Sequence, residues 1–90
     1  MANMIGMNVE EVRALAGTFE QKAGELDNII STVESKLGAT TWVGKDADQF
    51  RNDWNSRLKP DLKRAAEELR KAAGTAKTNA TAQENTSNTL

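Results

Sequence analysis

Carboxylates and amines are the only side chains here suited to acid–base chemistry, because the 90 residues include no His, no Cys and no Tyr. General acid–base work would therefore fall to Asp, Glu or Lys. The acids gather as Glu10-Glu11, Asp46 with Asp48, and Glu67-Glu68, each on or beside a stretch with helical apolar spacing. That placement describes solvated helix faces, not convergent catalytic pairs. The run "DADQF" at 46–50 begins like a calcium loop but lacks the Gly and the distant Glu of the twelve-residue pattern. No enzymatic activity, metal ion or cofactor is expected.

With no Cys, neither disulfides nor thiolate metal sites can form, and the compartment stays open. Hydrophobic content of 38% and charged content of 28% suit a soluble protein, and a chain of this size is one small domain or half of an assembly. The N-terminal "MANMIGM" has no basic region and no apolar run of signal-peptide length. Nothing approaches the ~18 apolar residues of a membrane span. By ordinary signals the protein would stay in the cytoplasm.

The elements that would position these groups are two long helices. Asn8 is a suitable N-cap with Glu11 three residues on, and Met7 and Val12 stand at the hydrophobic-staple positions. Val12, Leu15, Phe19, Ala23, Leu26, Ile30, Val33 and Leu37 then follow at steps of three and four, and Gly38 is suited to end the helix as its C′ residue. This predicts a helix over 8–38, a turn over 39–45 and a second helix over 46–77. Asp46 with Gln49 makes a second capping box. The second stripe runs Ala47, Phe50, Trp54, Leu58, Leu62, Ala65, Leu69, Ala72 and Ala76. Pro60 interrupts the backbone bonding, but the stripe keeps its phase, so a kink near Pro60 is expected instead of a break. Residues 1–77 form the helical hairpin, and 78–90 read as a polar, flexible tail. Two glycosylation acceptor patterns in that tail, at Asn79 and Asn85, are chance matches without a secretory signal.

Charge and stripe width indicate how these helices are used. Residues 8–38 carry three basic against six acidic side chains, a net of −3, and residues 45–77 carry nine against six, a net of +3. The two helices therefore suit an antiparallel hairpin, about 45 Å long at ~1.5 Å per residue. At ~100° per residue, the apolar arc of the first helix is about 140° wide, running from Ile29 through Leu15, Phe19 and Ile30 to Ala16 and Ala23. A two-helix seam covers less than that. The expected fold is all-α, an antiparallel helix-turn-helix hairpin dimerising into a four-helix bundle. The expected interface residues are Val12, Leu15, Phe19, Leu26, Ile29, Ile30, Val33, Phe50, Trp54, Leu58, Leu62 and Leu69. Gly17 and Gly24, seven apart on the stripe's flank, read as tolerated surface glycines or as places where another helix comes close.

Between the helices lies "GATTWVGKDADQF" (38–50), with one of the two Trp residues two positions before a Gly. Gly44 can take backbone angles closed to other residues, and its missing side chain leaves room beside the indole. Trp42 either caps the end of the hairpin core or stays partly exposed as a handle for another protein, a role in which Trp is over-represented. A chain of this length with Trp42-Val43-Gly44 between two amphipathic helices resembles the WXG family of early secreted antigen-like (ESAT-like) proteins over about residues 8–77. "WVGKDADQFRNDW" followed by "PDLKRAAEEL" is similar to the actinobacterial members.

The resemblance implies a dimer, either with itself or with a sister protein of the same family. It also implies export by a type VII (ESX) secretion system without a cleaved signal peptide, with recognition by that system's membrane ATPase. The protein would then be made in the cytoplasm and end outside the cell or on its surface. Trp42 and Gly44 would form part of a composite export signal with a C-terminal segment. Actinobacterial signals often carry Tyr-x-x-x-Asp/Glu there; the nearest match here, Ala80-x-x-x-Glu84, lacks the aromatic, which leaves Glu84 as the candidate or a partner as the supplier.

Other functions fit less well. A cytoplasmic helical adaptor or chaperone with a coincidental Trp-x-Gly remains the alternative. Nucleic-acid binding lacks its electrostatic footprint, since the basic second helix is interleaved with acids and the pI is about 5.4. Stable membrane insertion is not expected, as the later half of that helix offers mainly Ala.

Overall fold

The structure, a computed structural model, describes residues 6–89. The N-terminal residues Met1–Ile5, on which the reading of "MANMIGM" largely rests, and the final Leu90 of the tail lie outside the described residues.

Helix α1 spans Val9–Ala39. Its start is the expected one: Asn8 is extended, and its Oδ1 accepts the Glu11 amide at 3.0 Å. Glu10 and Glu11 sit in the first turn and Lys36 in the last, where the helix dipole favours each sign. Its end differs from expectation. The helix passes through Gly38, which does not take a positive φ, and stops one residue later because Thr40 turns extended. The Thr40 hydroxyl donates to the Lys36 carbonyl at 2.6 Å and so caps the last turn in place of a C′ glycine.

From Lys45 the chain is helical to Thr89: α2 (Lys45–Asp53), a five-residue π turn (Trp54–Leu58) and α3 (Lys59–Thr89). Pro60 explains the π turn. In an α-helix it would lack its own donor and crowd the carbonyl of Ser56. Here the widened turn before it lets the Lys59 amide bond five residues back, to Trp54. The turn takes up an extra residue, and the buried stripe records it. Trp54, Leu58, Leu62 and Ala66 follow at steps of four, after which Leu69, Ala73, Ala76 and Ala80 alternate threes and fours.

The tail is helical where flexibility was expected. Ala80 is fully buried, Gln83 is half-buried and the Glu84 carboxylate is held by Arg13, so this polar segment is tethered to α1 as far as Glu84. The molecule is accordingly longer than a hairpin of two equal helices, 68 × 18 × 16 Å. The helix from Lys45 to Thr89 accounts for that length at ~1.5 Å per residue.

α1 and α3 run antiparallel along a seam made almost wholly of alanine. Ala16, Ala23 and Ile30 from α1 meet Ala66, Ala73 and Ala80 from α3, each set repeating every seven residues, and the five alanines are 0–1% exposed. Small side chains let the two backbones approach closely. One edge of this seam carries a ladder of ion pairs, spaced by seven throughout α1 and by seven on α3 until a last step of eleven to Lys59: Arg13–Glu84 at 2.9 Å, Glu20–Lys77 at 2.8 Å, Asp27–Arg70 at 2.5 Å and Glu34–Lys59 at 2.5 Å. Three rungs place the acid on α1, and the first reverses the order. A slip of one heptad would set Arg13 against Lys77, so the reversed rung opposes that misregister.

Candidate functional site

The other edge of the seam is apolar. Val12, Phe19, Leu26 and Val33 repeat every seven residues, three positions after the seam residues of the preceding heptad, whereas the ladder residues stand four after. The two rows therefore flank the seam on opposite sides. On α3, Leu62, Leu69 and Ala76 answer the apolar row, and all of these side chains are only half-buried. Beyond them Leu15 and Ile29 are 48% and 47% exposed. The hairpin is thus one-sided: the interhelical ion pairs line one edge, and the other is mainly apolar, with Lys22, paired to Glu25, between Leu15 and Ile29 in its outer row.

Most of the sequence-expected interface residues lie on this open edge: Val12, Leu15, Phe19, Leu26, Ile29, Val33, Leu62 and Leu69, with Leu58 half-buried just before α3. Three lie elsewhere. Ile30 is in the alanine seam and 5% exposed, so the single hairpin already covers it. Trp54 is also 5% exposed, sealed against the end of α1, where its indole N–H donates to Glu34 at 3.4 Å. Phe50 is at the tip. The alanine seam escaped the sequence reading because bulky residues dominate a stripe by eye; the seven-residue spacing of Ala16 and Ala23, and of Ala66, Ala73 and Ala80, was the available signal.

The tip is built by a strap instead of a tight turn. Thr40 is extended and residues 41–44 belong to no helix, and the Arg51 guanidinium donates to the carbonyls of Trp42 at 2.8 Å and Thr40 at 3.4 Å. Ala47 is fully buried. The Trp42 and Phe50 rings meet at 5.6 Å with a 46° tilt, and both remain 41% exposed; Val43 is 90% exposed. Of the two readings of Trp42, partial exposure is what the structure shows.

Gly44 has φ 127° and ψ −179°, a region open essentially to glycine alone. A Cβ there would meet nothing within 4 Å, so the backbone, not room beside the indole, requires glycine. Gly17 and Gly24 likewise face open space. Gly44 itself is the N-cap of α2, its carbonyl accepting from Asp48 at 3.0 Å, and no side chain caps the helix. The Asp46–Gln49 capping box is therefore not formed, because the helix starts before Asp46 and places it inside the first turn.

A Gly44→Ala variant is expected to cost about 1–3 kcal/mol at the strap. Amide exchange over 40–47 should rise sharply, with exchange along the alanine seam unchanged; equal protection in both regions would refute the strain argument.

At the far end, Glu84 accepts both Arg13 guanidinium nitrogens, at 2.9 and 3.3 Å. This bonding holds the Glu84 carboxylate below the usual range and raises the Arg13 guanidinium. The position where the resemblance implies an aromatic is Ala80, in the seam. Glu34 is also lowered, chiefly by its bond from Lys59 and further by the Trp54 indole, and Asp53 by Arg57. A carboxylate with a lowered folded pKa contributes stability that is present above the ordinary range near ~4 and lost as pH falls through the lowered value. Thermal stability is expected to be flat from about pH 7 to pH 5 and to fall below about pH 4. Melting followed by circular dichroism checks this, and Glu34→Gln should flatten the acid limb.

Among the described residues no cluster of acids could hold a metal ion, and no helix is long and apolar enough to cross a membrane. In comparisons with known proteins, the family model "WXG100: Proteins of 100 residues with WXG" matches residues 4–88. No curated protein and no solved structure matches the chain.

Proposed function

Because the chain belongs to the WXG100 family of small helical proteins associated with type VII secretion, we propose that it is itself a dimeric substrate or adaptor exported by such a system. Family members are in general non-enzymatic secretion substrates. On this reading two hairpins, of the same chain or of this chain and a sister protein, join along their apolar edges into a four-helix bundle. The tip bearing Trp42 and Gly44 faces the secretion ATPase as one part of the export signal, and the C-terminal turn around Glu84 supplies the other.

The observation that carries the dimer is the one-sidedness of the hairpin. Its interhelical ion pairs occupy one edge, and the opposite edge presents half-buried and exposed Leu, Ile, Phe and Val over the length of α1, interrupted in the outer row by Lys22, which pairs with Glu25. Contiguous apolar surface of that kind marks an interaction site. The export reading rests on the family and on the exposed Trp42 tip.

Two measurements test it. The mass in solution should be twice the 9.8 kDa of one chain, alone or after mixing with a sister protein; a single copy at high concentration in both cases would remove the dimer. Culture supernatants should contain the wild-type protein and lack the Trp42→Ala variant, while cell extracts contain both. Equal export of the two would remove the tip from the signal.

A further inference from the structure

We propose that the cleft at the hairpin tip receives a basic side chain, Arg above all, flanked by apolar residues of a protein partner. This inference rests on the tip being a docking surface, as argued above, and adds the chemistry of what docks there.

The cleft has a volume of about 460 Å³ and is lined by Trp42, Asp46, Gln49, Phe50, Asn52 and Asp53. Two aromatic rings form one wall, and the polar lining consists of carboxylates and amides with no cationic side chain. Of the neighbouring bases, Lys45 does not line the cleft, and the two arginines are engaged elsewhere. Arg51 holds the carbonyls of the strap, and Arg57 is bonded to Asp53 at 2.6 and 3.0 Å. Asp46 has no ion-pair partner among the described residues. One carboxylate without an ion-pair partner therefore lines the same cleft as the part-exposed Trp42.

Three kinds of occupant can be compared on these grounds. An acidic segment is repelled by Asp46. A purely apolar segment would cover the rings but strip water from that carboxylate without replacing its hydrogen bonds, which opposes binding. A guanidinium satisfies both surfaces at once: its face stacks on the indole while its edge donates to Asp46. The apolar flanks follow from the part-exposed Trp42 and Phe50 in the lining and from exposed Val43, next to Trp42 in the sequence.

The probes are acetyl-Leu-Arg-Leu-amide and its analogues with Gln or Glu in the middle position. They are titrated into the full-length protein while the two indole N–H resonances are followed by NMR. The expected result is a shift at Trp42 with none at Trp54, whose indole is buried and bonded to Glu34. The Arg peptide should bind about five-fold more tightly than the Gln peptide. Asp46→Asn should erase that preference. Equal affinity for Arg and Gln peptides, stronger binding of the Glu peptide, or no shift up to about 10 mM overturns the proposal. So does a Trp42 shift that follows protein concentration alone, which would make a second copy the occupant.

Export separates this inference from the function it rests on. Normal export of Trp42→Ala removes the tip's docking role whatever the peptides do. Blocked export of Trp42→Ala with no Arg preference keeps that role and removes only the basic partner.

Discussion

If two hairpins pair along their apolar edges as proposed, placing a charge at Ile29 is expected to separate them while leaving each hairpin folded. Ile29 is about half exposed on the apolar edge, so an Asp there meets water in the single chain and costs it little. In the bundle the same Asp would be buried against a partner. A partner would cover the exposed half of Ile29, about half of the ~1.5–3 kcal/mol that full burial gives; a symmetric pair loses it twice, and each Asp would also be stripped of water there. The dissociation constant should therefore rise by roughly 10²–10⁴-fold. Sedimentation across a concentration series reads the association, and far-ultraviolet circular dichroism at low concentration confirms that the helices persist. A matched change on the charged edge, Glu20→Gln, should leave the association unchanged. If both variants dissociate equally, or neither does, the apolar edge is not the interface.

Ala73→Leu is expected to do the opposite: it unsettles the fold of each chain irrespective of partner. Ala73 is completely buried at the centre of a seam whose facing residues are also alanines. Three extra carbons must push α1 and α3 apart, and separation lifts every rung of the ion-pair ladder beside them. Overpacking of this kind costs about 1–3 kcal/mol, which for a chain of this size lowers the melting temperature by roughly 5–20 °C. Ala65→Leu, on an exposed position of the same helix, is the control and should move it by no more than a few degrees. Equal tolerance of Leu at 73 and 65 would mean that the helices are not packed through their alanines.

Much of this architecture was legible in residue patterns. The Asn8 cap, the two amphipathic helices, their antiparallel pairing and the Trp-x-Gly tip follow from local rules of capping, periodicity and charge, all of which act within a turn or two of chain. What those local rules did not supply is the long-range contacts. The polar segment after Lys77 has no stripe of large residues, yet it is helical because Ala80 and Glu84 find α1. Ile30 and Trp54 have the profile of interface residues, but the hairpin covers them itself. Pro60 announced a disturbance, and the compensating π turn arises one turn earlier, from the need to restore both bonding and phase.

The amino-acid sequence by itself determined that this is a helical hairpin with an apolar surplus and a conformationally special glycine at its tip, because helix period, caps and composition are properties of neighbouring residues. Only the tertiary structure decided which side chains the surplus comprises. Close approach of two backbones selects alanine for the seam, leaves the bulky residues on one flank and sends the interhelical ion pairs to the other. That sorting depends on the register and separation of α1 and α3, which no single helix contains.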